Sequence, residues 1–147
     1  MQIKFTAFGA AKPAGSKRAF AFKGKDGRIR ATVVDACRDT KSWQHVIATA
    51  AREAYAGELL TRAVNLAVLF YFPRPKGHYN AKGMLRPAAP AFHVKRPDAT
   101  KLLRAVEDSL TGIVWRDDAQ VVQQLAGKVY GEPARCEVTI TELAPRP

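Results

Sequence analysis

The order of hydrophobic and polar positions predicts β-strands at both ends of the chain and in its middle. Apolar and polar residues alternate over Met1–Phe8 and again over Cys136–Thr141, which is the period of a strand with one buried face. In Val64–Phe72 large apolar residues alternate with smaller ones, and both faces are apolar. We therefore interpret this segment as a central strand.

A helix is predicted between the early strands and the central one. Its apolar residues recur at helical spacing from Asp39 or Thr40, either of which is a good N-cap, to about Ala56. Gly57 follows as a stop signal. Trp43 falls on the apolar face, so we interpret it as a core residue and not as a platform for stacked bases. We expect the buried face to consist of Trp43, Val46, Ile47, Ala50, Ala51 and Ala54.

A second helix is predicted within the stretch Arg96–Val122. Pro97 cannot sit inside a helix, and Asp98 after it is a good N-cap. Gly112 ends the helix, because glycine readily takes the left-handed conformation found just past a helix C-terminus. The apolar stripe of this helix is Leu102, Leu103, Val106 and Leu110.

Acidic residues gather around this second helix. Asp98 lies at its N-terminus, and Asp117 and Asp118 follow where the chain turns toward a strand predicted over Ala119–Tyr130. Taken singly, Asp98 is an ordinary N-cap, and the Asp pair is an ordinary turn before a strand. In a chain this basic, however, acids collected around one helix call for an explanation.

The order of the predicted elements favours a single α/β domain over residues 1–147, with a mixed β-sheet and two helices packed on it. Val122 and Val129 are candidate core positions of the strand that follows the second helix. A basic hairpin within residues 12–34 and a basic loop over residues 73–97 belong to the same domain.

The charge of the chain indicates the class of its partner. There are 24 Lys and Arg residues against 13 Asp and Glu, a formal net charge of +11. Such a balance favours a polyanion, and charge alone leaves both DNA and RNA open. No apolar run approaches the ~20 residues of a membrane span. No stretch joins a long apolar helix face to a basic one, so we expect no membrane partner.

The start of the chain and its two cysteines indicate a cytoplasmic protein. Met1–Phe8 lacks the charged start and apolar core of a signal peptide. Cys37 and Cys136 are far apart in sequence and have no metal-binding spacing. We therefore expect two reduced thiols.

Two segments concentrate the cations. Lys12–Arg30 holds seven Lys and Arg residues and one acid, and a turn at Asp26-Gly27 separates predicted strands Ala19–Phe22 and Arg28–Val34. Pro73–Pro97 holds six Lys and Arg residues and no acid. We interpret the first as a DNA-facing hairpin and the second as a flexible arm along the DNA backbone; the alternatives are a solvated hairpin and a solvated loop. The candidate DNA-binding residues are Lys17, Arg18, Arg74, Lys76, Lys82, Arg86, Lys95, Arg96 and Lys101.

Two motifs carry a resemblance to a known family. The chain reads R-P-D-A-T-K-L-L-R-A at the second helix and W-R-D-D-A-Q-V after it. It resembles the RusA family of Holliday junction resolvases, whose pattern is P-D-x-D-N-L-x-K-A followed by W-x-D-D-x-Q-V. The family's metal-binding aspartates fall on Asp98 and Asp118, and its lysine falls on Arg104. Its second helix aspartate falls on Thr100, and its asparagine falls on Lys101.

The resemblance implies a RusA-like homodimeric endonuclease that cuts branched double-stranded DNA, resolving four-way junctions by paired nicks in recombination or repair. It implies Mg²⁺ as cofactor, with Mn²⁺ as a substitute. The family is common in phages and prophages, so we expect a role in phage recombination or branched-DNA processing. Since a threonine replaces one aspartate, the alternative is a basic DNA-binding protein of the same fold with weak or lost cleavage. The candidate catalytic residues are Asp98, Thr100, Arg104 and Asp118, and the candidate metal ligands are Asp98, Asp117 and Asp118.

Overall fold

The computed structural model describes residues 1–15, 17–35 and 39–146, and for residues 17–20, 22 and 31–35 it describes the backbone alone. Short 3-10 turns occur at Lys76–His78 and Asp118–Gln120. The strands and helices are β1 (Gln2–Phe8), β2 (Lys17–Lys23), β3 (Ile29–Asp35), α1 (Thr40–Ala54), β4 (Val64–Phe72), α2 (Ala99–Leu110), β5 (Val121–Tyr130) and β6 (Arg135–Glu142).

The main sheet of the described chain has four strands in the order β1-β6-β4-β5. β4 pairs with β5 in parallel, whereas β6 runs antiparallel to both β1 and β4. β2 and β3 form a separate antiparallel hairpin. The predicted α/β domain with a mixed sheet and two helices is therefore confirmed. β4 lies between two neighbours, as its apolar sequence indicated.

The core forms where α1 and α2 cover one face of the sheet. Alternate residues of β1, β4 and β6 are buried, and Trp43 and Trp115 are buried with them, which confirms Trp43 as a core residue. The other face of β4 is only half-buried. Val122 was predicted in the core but exposes 58% of its surface, because it lies on the edge strand β5. Val46 on α1 is also exposed.

The ends of both helices agree with the predicted signals, although the caps differ in detail. Asp39 and Asp98 occupy the N-cap positions of α1 and α2, but neither side chain accepts a capping hydrogen bond within the described structure. Thr40 instead donates its hydroxyl hydrogen to the carbonyl oxygen of Pro13 at 2.7 Å. Gly112 follows α2 with a φ of +80°, the left-handed conformation that reverses the chain.

The loop between β4 and α2 is tied to β5, whereas the sequence indicated a flexible arm. Its backbone exchanges two hydrogen bonds with β5, from the His93 N–H to Lys128 O (3.1 Å) and from the Tyr130 N–H to Ala91 O (2.9 Å). The His93 ring stacks on Phe72 with centroids 4.0 Å apart. These contacts give the basic loop a defined path along the sheet edge.

The described cysteine is a core residue. Cys136 is buried and free, and burial raises the pKa of its thiol to about 12. The prediction of a second reduced thiol at Cys37 lies outside the described residues. No helix in the described part of the chain is both long and apolar enough to cross a membrane.

Candidate active site

The segment after α2 brings Asp118 back toward the helix. The Gly112 N–H closes the turn after α2 by donating a hydrogen bond to Trp115 O at 2.7 Å. The buried Trp115 ring donates from Nε1 to Thr111 Oγ1 at 3.1 Å. Gln120 Nε2 then ties the following turn to the chain before β4, donating to Leu60 O at 2.8 Å. Asp118 is therefore flanked on both sides by backbone that hydrogen bonds hold in place.

Asp117 and Asp118 have different roles in this turn. Asp117 Oδ1 accepts the Ala119 N–H at 2.8 Å, and the Gln120 side chain accepts the Asp117 N–H at 3.0 Å, so the two form a capping box. One carboxylate oxygen of Asp117 is thus used to build the turn that presents Asp118. The assignment of Asp117 as a metal ligand remains a prediction.

An acidic cleft lies between α2 and β5. It has a volume of about 560 Å³. Three of the predicted catalytic residues line it: Thr100 and Arg104, one helical turn apart on α2, and Asp118 from the turn. Glu107 and Asp108 line it as well. Residues of α2, of the turn after it and of β5 therefore meet around one open space.

Glu107 is a further member of this cleft, beyond the candidate residues that the sequence indicated. It is half-buried, and its Oε2 accepts a hydrogen bond from Gln124 Nε2 on β5. Burial raises the pKa of the Glu107 carboxyl, and the nearby negative charges of Asp118 and Asp108 raise it further. A signal was present in the sequence, since Glu107 lies seven residues after Thr100 and so falls on the same helix face.

Asp98 lies on the other side of the first turn of α2. It lines a groove of about 540 Å³ together with Lys12, Arg96 and Lys101. The segment that carries Lys12 is fixed to the helix, because the Ala14 N–H donates to Lys101 O at 2.9 Å. Because Asp98 and Lys101 line the basic groove and Ala99 and Thr100 line the acidic cleft, the two spaces adjoin at the first turn of α2.

Comparison with known proteins identifies the family of the chain. The sequence model of the endodeoxyribonuclease RusA family matches residues 11–141, nearly the whole chain. The chain belongs to the RusA endodeoxyribonuclease family. It is also 30% identical over 152 residues to an uncharacterized protein of Bacillus subtilis (strain 168), YqaN, and the match covers 97% of each chain. The chain is thus a RusA family nuclease of the Holliday junction resolvase type, and its substrate is DNA.

The predicted DNA-binding residues of this RusA family protein fall into distinct structural settings. Arg96 and Lys101 face the basic groove with Asp98. Lys76, Lys82 and Lys95 are exposed on the loop. The side chains of Lys17 and Arg18 lie outside the described structure.

Arg74 and Arg86 have contacts that shape the loop itself. Arg74 donates to Pro90 O at 2.7 Å and lies 5.4 Å from the centre of the Tyr130 ring. Arg86 donates from Nε to Tyr79 O at 3.1 Å. Their role in DNA binding remains a prediction.

The donor groups around α2 suit a hard divalent cation. The acidic residues of the site offer carboxylate oxygens, which Mg²⁺ prefers, and Thr100 adds a hydroxyl. Among residues 1–15, 17–35 and 39–146, however, no three His, Cys, Asp or Glu side chains converge as a complete metal site. These observations fit a cation that would be held by one or two carboxylates.

Proposed function

We propose that this RusA family nuclease cleaves four-way DNA junctions by metal-dependent hydrolysis at the first turn of α2. Asp98 and Asp118 are the proposed ligands of Mg²⁺, with Mn²⁺ as a substitute. The observation that carries the proposal is the meeting of Asp118 with Thr100 and Arg104 in one cleft. The family motif supports it, because Asp98 and Asp118 occupy the positions of the family's metal-binding aspartates.

The residues around the cleft divide the chemistry among them. A divalent cation held by Asp98 and Asp118 would supply an activated water and would stabilise charge on the phosphate. Arg104 is exposed on the cleft wall, where its guanidinium contacts the scissile phosphate and stabilises the negative charge that develops there. An arginine side chain cannot serve as a general base, because it does not deprotonate in proteins. The Thr100 hydroxyl orients water but contributes no charge.

The basic groove gives the DNA backbone a place beside the acids. Arg96 and Lys101, with Lys12, surround Asp98 and attract phosphate to the helix start, where the backbone N–H groups also favour an anion. The lysines of the loop over residues 73–97 extend this positive surface. We propose that one strand of branched DNA passes from the loop over the groove to the acidic cleft.

We expect the active unit to be a homodimer that makes paired nicks. A four-way junction has near two-fold symmetry, and resolution requires a cut in each of two opposed strands. A two-fold dimer places two copies of the cleft in matching positions. On a plasmid that extrudes a cruciform, the wild-type protein should yield linear product within one binding event, and light scattering should show a dimer at micromolar concentration.

Mixed subunits give the sharper control for the paired nicks. Wild-type protein re-equilibrated with an excess of Asp118→Asn subunits should accumulate nicked circles, because each mixed dimer carries one competent cleft. A fully active monomer, or linear product at the wild-type yield from the mixture, would contradict the dimeric mechanism.

Thr100 is expected to set the metal requirement. The neutral hydroxyl leaves the site with one negative charge fewer than the family pattern, and the number of charged ligands tunes cation affinity. We expect Mn²⁺ to activate the wild-type protein better than Mg²⁺, because Mn²⁺ binds such ligands more strongly. Thr100→Asp should lower the Mg²⁺ concentration for half-maximal cleavage.

Thr100→Asn is the matched control, since it changes the shape of the side chain without adding charge. An acid in the first turn of a helix is favourable, so Thr100→Asp should also fold normally. An unchanged Mg²⁺ midpoint in Thr100→Asp would remove this position from the metal site. If the wild-type protein cleaved the junction as fast in chelator as in Mg²⁺, the metal mechanism would be ruled out.

A further inference from the structure

The side chain of Lys128 joins β5 to the segment that leads into α2. Its Nζ donates to Lys95 O at 2.6 Å and to Pro97 O at 2.9 Å. These carbonyl groups belong to the residues on either side of Arg96, and Asp98 directly follows Pro97. An ammonium group has three N–H donors, so these two bonds use most of its capacity. The backbone of Lys128 also accepts the His93 N–H at 3.1 Å.

The position of Lys128 on β5 explains why it meets this segment. In the parallel register β4 Phe70 lies beside Lys128, and Phe70 is fully buried under the helices. Side chains alternate across a strand, so Gln124 and Ala126 share the face of Lys128. Both line the acidic cleft. Lys128 therefore lies on the strip of β5 that continues from the cleft toward the loop.

Asp98 depends on its backbone for its position. Its side chain accepts no capping bond from the described part of α2, and it is exposed to solvent. On one side the helix fixes its main chain, where the Leu102 N–H donates to Asp98 O at 3.1 Å. On the other side the preceding residue is held by Lys128. Without the bond from Lys128 to Pro97 O, the main chain of Asp98 would be held only by its hydrogen bond within α2.

We infer that Lys128 is a positioning residue for Asp98, acting through the carbonyl groups of Lys95 and Pro97, on the condition that Asp98 acts in cleavage as proposed above. The two hydrogen bonds orient the peptide planes that precede Asp98 and so set the direction of its carboxylate. Hydrogen bonds made by a charged donor are stronger than those between neutral groups, which suits Lys128 to this task.

The test compares Lys128→Met, Lys128→Arg and Lys4→Met. Methionine keeps the length of the side chain and removes the ammonium, and arginine restores donors to the carbonyl groups. Lys4 is an exposed residue of β1, so Lys4→Met removes the same charge away from the site. Three quantities are measured: amide hydrogen exchange over residues 91–103, the single-turnover cleavage rate at saturating protein, and the junction Kd in chelator.

In Lys128→Met the amides of His93 and Leu102, whose N–H groups bond to Lys128 O and Asp98 O, should exchange faster than in the wild type, while in Lys4→Met they should not. The single-turnover rate of Lys128→Met should fall by about 10- to 100-fold, the scale expected when a reacting group is misplaced by about 1 Å. Its junction Kd should match that of Lys4→Met. Lys128→Arg should recover a large part of both exchange protection and rate, which a mere loss of stability in Lys128→Met would not explain.

Two results would overturn the inference. Exchange in Lys128→Met equal to that in Lys4→Met would mean that Lys128 does not hold the segment. A rate loss that disappears at higher protein concentration would mean that Lys128 contacts DNA and does not position Asp98. Failure of the proposed function is recognised separately, by full cleavage in Asp98→Asn, and hydrogen exchange reports on Lys128 without any cleavage.

Discussion

Asp98→Asn and Asp118→Asn should each reduce junction cleavage by about 10²- to 10⁴-fold, since a bound cation contributes several kcal/mol to the stabilisation of the transition state. Each change removes a carboxylate and keeps the size of the side chain. Junction binding in chelator should stay the same or become slightly tighter, because one negative charge that repels phosphate is lost. Single-turnover cleavage in Mg²⁺ and a binding titration measure the two effects.

Asp39→Asn is the matched control for these variants. Asp39 is an exposed N-cap residue of α1 whose side chain makes no capping bond, so its replacement should leave cleavage unchanged. Asp118→Asn should also leave the fold intact, because the turn around it is built by Asp117 and Gln120. Full cleavage by either Asp98→Asn or Asp118→Asn at ordinary Mg²⁺ concentration would remove that residue from the mechanism.

Junction affinity should fall steeply with salt. If the protein neutralises about six phosphates, the plot of log K against log salt concentration should have a slope near −5, which amounts to a loss of about 10³-fold between 50 and 200 mM. The net charge of +11 and the cations of the basic groove support this expectation. Titrations at several salt concentrations, in chelator, give the slope directly.

Single substitutions connect this slope to the structure. Lys101→Met should make the slope less steep by about 1, as expected for loss of one phosphate contact. Lys4→Met, which removes the same charge from β1 on the sheet, should change it less. A wild-type slope near −1 would contradict an electrostatic mode of binding, and equal effects of the two substitutions would contradict a specific role for the basic groove.

The elements of this fold were predictable where the signal was local. The alternation over Gln2–Phe8 and the helical spacing over Ala99–Leu110 are patterns among residues close together in sequence. The strand and the helix that they predicted are both present in the structure. The prediction failed for Val122 because burial depends on a second layer, and an edge strand at that point has none. The loop after β4 was interpreted as flexible because its anchors, such as Tyr130, lie far along the chain.

The sequence by itself determined the types of chemical group at the site and their spacing around α2: the aspartates, the Thr100 substitution, Arg104 and the surplus of positive charge. Only the tertiary structure decided which of these groups share a space. It placed Asp118 with Thr100 and Glu107, put Asp98 in the adjoining groove with Lys12, and brought the Lys128 ammonium to the segment before Asp98. The reason is that a motif records residue types along the chain, whereas contacts between α2, β5 and the loop follow from parallel strand pairing and the turn at Gly112.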